Sequence, residues 1–260
     1  MLECKHMART IKTARVSHPI VSPNVLSSIP PKEVCDQLVQ CYLRTFEGVF
    51  RILHAPSFFK EYETYWSNTA TTKPSVLIKI LLVCAIGTPF FTGPERPQLR
   101  TACVEWIHAA ESWLSAPHEK SRLNMAGLQI HILLILARQV CSVDGDLVWI
   151  PAGALLRSAM HLGLHRDPAN FPKISTFHGE MRRRLWATVL EITAQSSLDM
   201  GMPPLISCQD FDTLPPSNIN DALLHRIPVL FIHPILCPDA LGLTKNLQKR
   251  WSHVQAGGEH

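Results

Sequence analysis

The stretch Gly179–Ser207, GEMRRRLWATVLEITAQSSLDMGMPPLIS, decides the fold. Its apolar residues Met181, Leu185, Trp186, Val189, Leu190, Ile192 and Leu198 fall on one stripe when wound at 3.6 residues per turn. A helix from about His178 to Asp199 follows. Gly201, Pro203 and Pro204 stop it, because glycine suits a helix C-terminus and proline cannot continue one. Arg182, Arg183 and Arg184 come after Glu180 in the first turns, an end where the helix dipole disfavours cations. Successive residues also splay around a helix, so the three cannot all grip one phosphate track. They are expected to pair with carboxylates of the fold, Asp199, Asp210 and Asp212 being the candidates.

Working outward, the same period recurs. Val34, Leu38, Cys41, Tyr42, Phe46, Val49 and Phe50 predict an amphipathic helix beginning at Glu33. A second follows Pro74, with Ser75 as N-cap, and runs to about Gly87; it is apolar nearly all round, as a central helix would be. A third spans about Pro97 to Ser115 and a fourth Arg122 to Val140. A fifth runs from about Asp146 to Gly163. Period-two alternation is scarce, so the fold class is all-α, built from layers of helical hairpins. Before these helices, Ser17–Pro31 carries four prolines and reads as an extended linker, preceded by a solvated basic tail. After Asp221, Ile227–Pro238 is apolar but broken by three prolines, and its shape cannot be derived. The expected organisation is a basic tail and linker at 1–32, one domain at 33–221 and an unrecognised tail at 222–260.

Composition narrows the function classes. Of the 260 residues 46% are apolar, a globular share, and only 18% are charged, which implies much buried or covered surface. The net charge of +4 is too small and too scattered to mark a nucleic-acid face. The eight cysteines form no C-x-x-C pair, which argues against a zinc ribbon, a zinc finger or a thioredoxin-type site, and reduced thiols of an intracellular protein are expected. The longest apolar run, Val76–Phe91, is interrupted by Lys79 and Pro89 and falls short of the roughly 20 residues a bilayer needs. No membrane partner is expected.

Chemical motifs are few. The glycines build neither a dinucleotide nor a Walker loop, and no G-x-S-x-G elbow is present. His161 and His165, four apart at a helix end with Asp167 close behind, are the one cluster to weigh as a metal site. The residue after His161 is Leu162, where a zinc protease needs a glutamate base, so a helix-end role for the histidines is preferred. His131 reads as a satisfied core histidine. Asp199–Asp221 lacks the ligand spacing of a calcium hand, and a rigid loop bonded to its own backbone is expected.

Three segments together resemble one family. AGALLRSAMHLGLHRDP (Ala152–Pro168), the Gly179–Ser207 stretch and DFDTLPPSNIND (Asp210–Asp221) are similar to the middle homology region of fungal-specific transcription factors, the binuclear zinc cluster regulators. The Glu33–Leu53 helix, with VFRILHAPSFFKEY after it, looks like that region's opening. The residues carrying the motif are Arg182, Arg183, Arg184, Leu185 and Trp186; then Asp199, Gly201, Pro203 and Pro204; then Asp210, Asp212, Pro215, Pro216 and Asn218.

The resemblance implies an all-α regulatory domain in a nuclear regulator of RNA polymerase II transcription, its gene set unknown and a biosynthetic pathway among the candidates. Implied partners are DNA through the family's zinc cluster, the transcription machinery or a full-length relative, a small-molecule effector and a second copy of the chain. Zinc is expected only with an upstream cysteine cluster, since Cys4, Cys35 and Cys41 are too far apart to form one. Members continue for several hundred residues past the DFDT segment, so the chain reads as lacking the cluster and cut short at its C-terminus. Two alternatives stand beside this reading: an all-α metal-dependent enzyme using His161 and His165, and a non-functional truncated paralogue.

Overall fold

The computed structural model describes residues 7, 22–68, 72–115, 122–144, 148–217 and 219–224. Those residues contain helices and no strand. A short helix α1 (Pro23–Ser27) precedes α2 (Lys32–Tyr42). A π-helical turn, Leu43–Glu47, joins α2 to α3 (Gly48–Phe50), and α4 (Ala55–Ser67) follows. Next come α5 (Pro74–Gly87), α6 (Arg96–Ser115) and α7 (Met125–Cys141). The described chain closes with α8 (Trp149–His161), α9 (Thr176–Asp199) and α10 (Asp221–Leu224).

The core forms around α5. Every residue from Val76 to Gly87 is buried, because α2, α6 and α7 pack against it and α4 covers a further side. Such a helix has no polar face to offer water, so burial on all sides is its only favourable position. Its one charged residue, Lys79, runs its stem out of the core and meets the Glu61 carboxylate of α4 at 2.5 Å. Helix α9 lies against α8 on the far side of the assembly, and α8 in turn touches α7.

All six helices expected from periodicity are present, with described ends shifted by at most three residues; the first is interrupted by the π turn and resumes to Phe50. Three local features differ. Helix α5 starts at Pro74 with Lys73 in the N-cap position and no side-chain cap, so Ser75 is inside the helix; proline at the first position is preorganised for the helix and lacks only an amide that would be orphaned there. The segment expected to be extended before Pro31 contains α1, held by the Val25 amide donating to Ser22 Oγ and by burial of Val25. Helix α4 stands where the sequence suggested only a turn; His54 caps it and Phe58, Tyr62 and Tyr65 face the core. The predicted start of the fifth helix at Asp146, Cys4 and Cys237, and the basic and apolar tails apart from Met7, lie outside the described residues.

Candidate functional site

The charged groups converge where the start of α9 meets two loops. Arg184 is fully buried and its guanidinium makes three bonds at once. Its Nε donates to Glu180 Oε1 at 3.1 Å, one turn back on α9. Nη1 donates to Asp221 Oδ1 at 2.6 Å and Nη2 to the Ile219 carbonyl at 3.1 Å. The other oxygen of Glu180 accepts the Ser217 amide at 3.1 Å. One turn of helix therefore holds the chain from Ser217 to Asp221 by both its side chains and its backbone.

Arg51 reaches the same segment from the opposite side. It donates to the Ser217 carbonyl at 3.3 Å, the Ile219 carbonyl at 2.6 Å and Asp221 Oδ1 at 3.3 Å. Its own backbone is left-handed, with φ 49° and ψ 46°, a conformation that costs a residue with a Cβ about 1–2 kcal/mol. The three bonds offset that strain. Asp221 completes the arrangement by capping α4, accepting the Ala55 amide at 3.0 Å, while its backbone carbonyl lies 3.1 Å from His54 Nε2. Burial raises the Asp221 pKa, but the Ala55 amide and Arg184 outweigh it, so the carboxyl is held below its ordinary value.

A second buried pair lies beside the first. Arg183 grips Asp167 with two parallel bonds of 3.0 and 2.8 Å, the bidentate geometry in which arginine binds carboxylate most strongly. Asp167 also accepts the amides of Leu214 and Ala169. Burial pushes its pKa up, and these donors, led by Arg183, bring it below the ordinary value. The Asp167 amide donates to Asp212 Oδ1 at 2.7 Å, and Thr213 Oγ1 donates to the Leu164 carbonyl at 2.6 Å. The Asp210–Asp221 strap is thus stitched to the α8–α9 connection.

Arg182 takes a third role. Helix α8 ends in a Schellman motif, with Leu164 N bonded to the Ala159 carbonyl and Gly163 N to the Met160 carbonyl. Gly163 sits at φ 73°, where a Cβ would be strained. The Arg182 guanidinium then donates to the carbonyls of Leu162 and Gly163 at 3.1 and 2.6 Å, a cation at the negative end of α8. Helix α9 ends the same way at Gly201, φ 60°, with Gly201 N bonded to the Leu198 carbonyl and Met202 N to the Ser197 carbonyl.

The three arginines do answer tertiary partners, but not the carboxylates expected from the sequence. Asp199 faces Gln195, Asp210 caps the Ser207 amide, and Asp212 takes the Asp167 amide and a half-exposed contact from Arg166 at 3.5 Å. The actual partners are Asp167, Glu180 and Asp221. Leu185 and Trp186 are buried, the Trp186 ring meeting Phe211 edge-on at 5.6 Å and His165 at 6.3 Å. Pro203 is exposed, Pro204 is half-buried, and Pro215 and Pro216 sit half-buried in the strap. Asn218 lies outside the described residues.

The histidine cluster does not assemble. Helix α8 ends at His161, and the left-handed Gly163 turns the chain, so His165 is not one helical turn above His161. His161 is exposed, His165 lies against Trp186, and Asp167 belongs to Arg183. Among the described residues no group of three or more His, Cys, Asp or Glu side chains is placed to hold a metal ion. His131 also departs from expectation: it is half-buried and has no hydrogen-bond partner among the described residues. Arg51 and Glu180 carried no periodic signal; only their nearness to quoted motifs could have pointed to them.

The described residues thus form an all-α scaffold whose densest charges are turned on one another. The chain belongs to the fungal specific transcription factor domain family, whose model matches residues 39–225. It is 44% identical over 223 residues to the transcription factor opdR of Penicillium oxalicum, a match covering 84% of this chain and 28% of that protein. It is 42% identical over 226 residues to the transcription factor lepE of Aspergillus flavus, covering 86% of this chain and 27% of that one. The Fusarisetin A cluster transcription factor fsa6 of a Fusarium species is 32% identical over 219 residues, covering 78% and 29%. The chain thus spans under a third of the length of these curated relatives. No solved structure matches it.

Proposed function

We propose that the chain is the regulatory domain of a fungal transcription regulator, acting on RNA polymerase II transcription by binding a protein partner or a small effector, without catalysis. One observation carries this reading: Arg183, Arg184, Glu180, Asp167 and Asp221 are each bonded within the chain. Groups engaged in this way are poor candidates to grip a phosphate or activate a substrate. The names of the relatives support the transcriptional role, and that of fsa6 suggests a biosynthetic gene set as the target class.

In this reading the site of action is the nucleus. DNA is gripped by a binuclear zinc cluster, with its zinc, that the cysteines of this chain do not supply. The motif residues act structurally, holding the strap to α9. The domain works as a helical layer with two packings, and a partner or effector shifts their populations by binding one better than the other. Candidate partners are the transcription machinery, a full-length relative or a second copy.

The test places the full chain in frame between a heterologous DNA-binding domain and an activation domain, with a reporter gene downstream. Reporter output is expected to change several-fold against the fusion lacking the chain, and to return towards it when Arg184→Met loosens the strap. Unchanged output from a folded, nuclear fusion sinks the reading.

A further inference from the structure

A groove of about 750 Å³ opens between α6, α7 and α8. That size lies within the roughly 300–1,000 Å³ of small-molecule sites. Its walls are apolar, with Leu114 from α6, Leu128 and Leu134 from α7, and Ile150 from α8. Ile150 is 66% exposed, a large apolar side chain left facing water.

The polar groups of the groove are not balanced. At one end Glu111 and Arg138 pair at 3.2 Å, and Arg138 also donates to the carbonyls of Val143 and Asp144, so this end is neutral and its donors are used. At the other end Arg122 lies over the Trp113 ring, 4.6 Å from its centroid. No described carboxylate pairs with it, and its buried Nη1 has no hydrogen-bond partner. Between the two ends stands His131, also without a partner among the described residues. Burial pushes its imidazole down to about 4, so at neutral pH it offers one donor and one acceptor. Among the described residues the lining therefore carries one cation without a carboxylate partner, beside an apolar wall.

We propose that this groove binds a small amphipathic organic acid, its apolar body against Leu114, Leu128, Leu134 and Ile150 and its acid group on Arg122. Such a ligand supplies the carboxylate that Arg122 lacks, a bond that arginine makes in a fixed, planar fork. It covers Ile150 as well. The inference rests on the regulatory reading only for its meaning in the cell, as the effector site. Binding is measured on the purified chain without any reporter, so the two fail separately.

The test uses decanoate and decanol, which share an apolar body and differ in the charged head. Both are titrated calorimetrically into the full chain at pH 7, below the micellar range. Decanoate is expected to bind about tenfold more tightly than decanol, the effect of one charge-assisted bond. Arg122→Gln should abolish the preference and leave decanol binding in place. Ala154→Trp, which fills the groove from α8, should remove both; Ala154→Phe replaces it if thermal unfolding shows that the tryptophan variant is not folded. Equal affinity for the two probes, no binding of either, a preference that survives Arg122→Gln, or binding unaffected by filling the groove would each overturn the proposal.

Discussion

Helix α5 and the Gly179–Trp186 stretch of α9 are both largely hidden from water, for opposite reasons. From Val76 to Gly87, α5 buries apolar side chains, and only Lys79 brings a charge. Helix α9 buries Glu180, Arg183 and Arg184 alongside Leu185 and Trp186, and Arg184 ranks in size with Trp106 and Trp186 among the fully buried side chains. Apolar burial is non-directional and scales with area, at roughly 25 cal/mol per Å². It drives α5 inward but selects its neighbours only by shape. Buried ions behave differently, because removing each from water costs several kcal/mol and only complete bonding offsets that. The α9 network contributes little net stability as a set. What it contributes is a single allowed position for the strap, since a displaced Asp221 takes one partner at once from Arg51, Arg184 and the Ala55 amide.

Substitutions can break this contrast. Arg184→Met keeps the apolar volume but leaves Glu180 buried without its cation and Asp221 with Arg51 alone, and should lower unfolding free energy by about 3–5 kcal/mol. Leu81→Ala in α5 leaves a cavity and should cost about 3 kcal/mol. Urea denaturation of both variants checks the order, and the contrast fails if the arginine change is the milder one. A smaller effect is expected of Gly163→Ala, about 1–2 kcal/mol for a Cβ at φ 73°, read as a shift of the urea midpoint. The new methyl would also sit 3.3 Å from Arg182 Nη2, crowding the cation at the end of α8.

The mildest probe is pH, and it sharpens the contrast because α5 has no counterpart to it. The carboxyls of Asp167 and Asp221 are held below their ordinary value of 3.8. Their stabilisation is fully present above that value and is lost as pH falls through the folded pKa values. Glu47 runs the other way. Burial pushes it from 4.5 up to about 8, against the pull of Tyr42 Oη and the Leu53 amide. Its contribution is present below 4.5 and is lost as pH rises through 8. Glu47→Gln should therefore flatten the decline in stability between those limits, and Asp167→Asn should flatten the acid limb. Urea midpoints measured across pH test both slopes.

Much of this was legible in advance and some was not. The stripe from Met181 to Leu198 and the all-round apolarity of Val76–Ala85 announced their helices. Helix α4 was missed although Phe58, Tyr62 and Tyr65 keep helical spacing, because the eye stops at Pro56, which in fact sits in the helix's first turn. The arginine triplet was visibly out of place at a helix N-terminus, which pointed to tertiary partners without naming them. Asp199 at the end of α9, and Asp210 and Asp212 beyond it, were nearer in the chain, yet Arg184 turned to Asp221, 37 residues away.

By itself the sequence determined six of the helical segments, which helix is central and where two of them stop. These depend on neighbours three or four residues apart, or on the φ of one glycine, and such information is local. Only the tertiary structure decided which carboxylate meets which arginine, that His161 and His165 part company at Gly163, and that Arg122 faces a groove with no carboxylate partner among the described residues. Those outcomes depend on how whole helices settle against α5, and a pairing across dozens of residues leaves no period in the chain to be read.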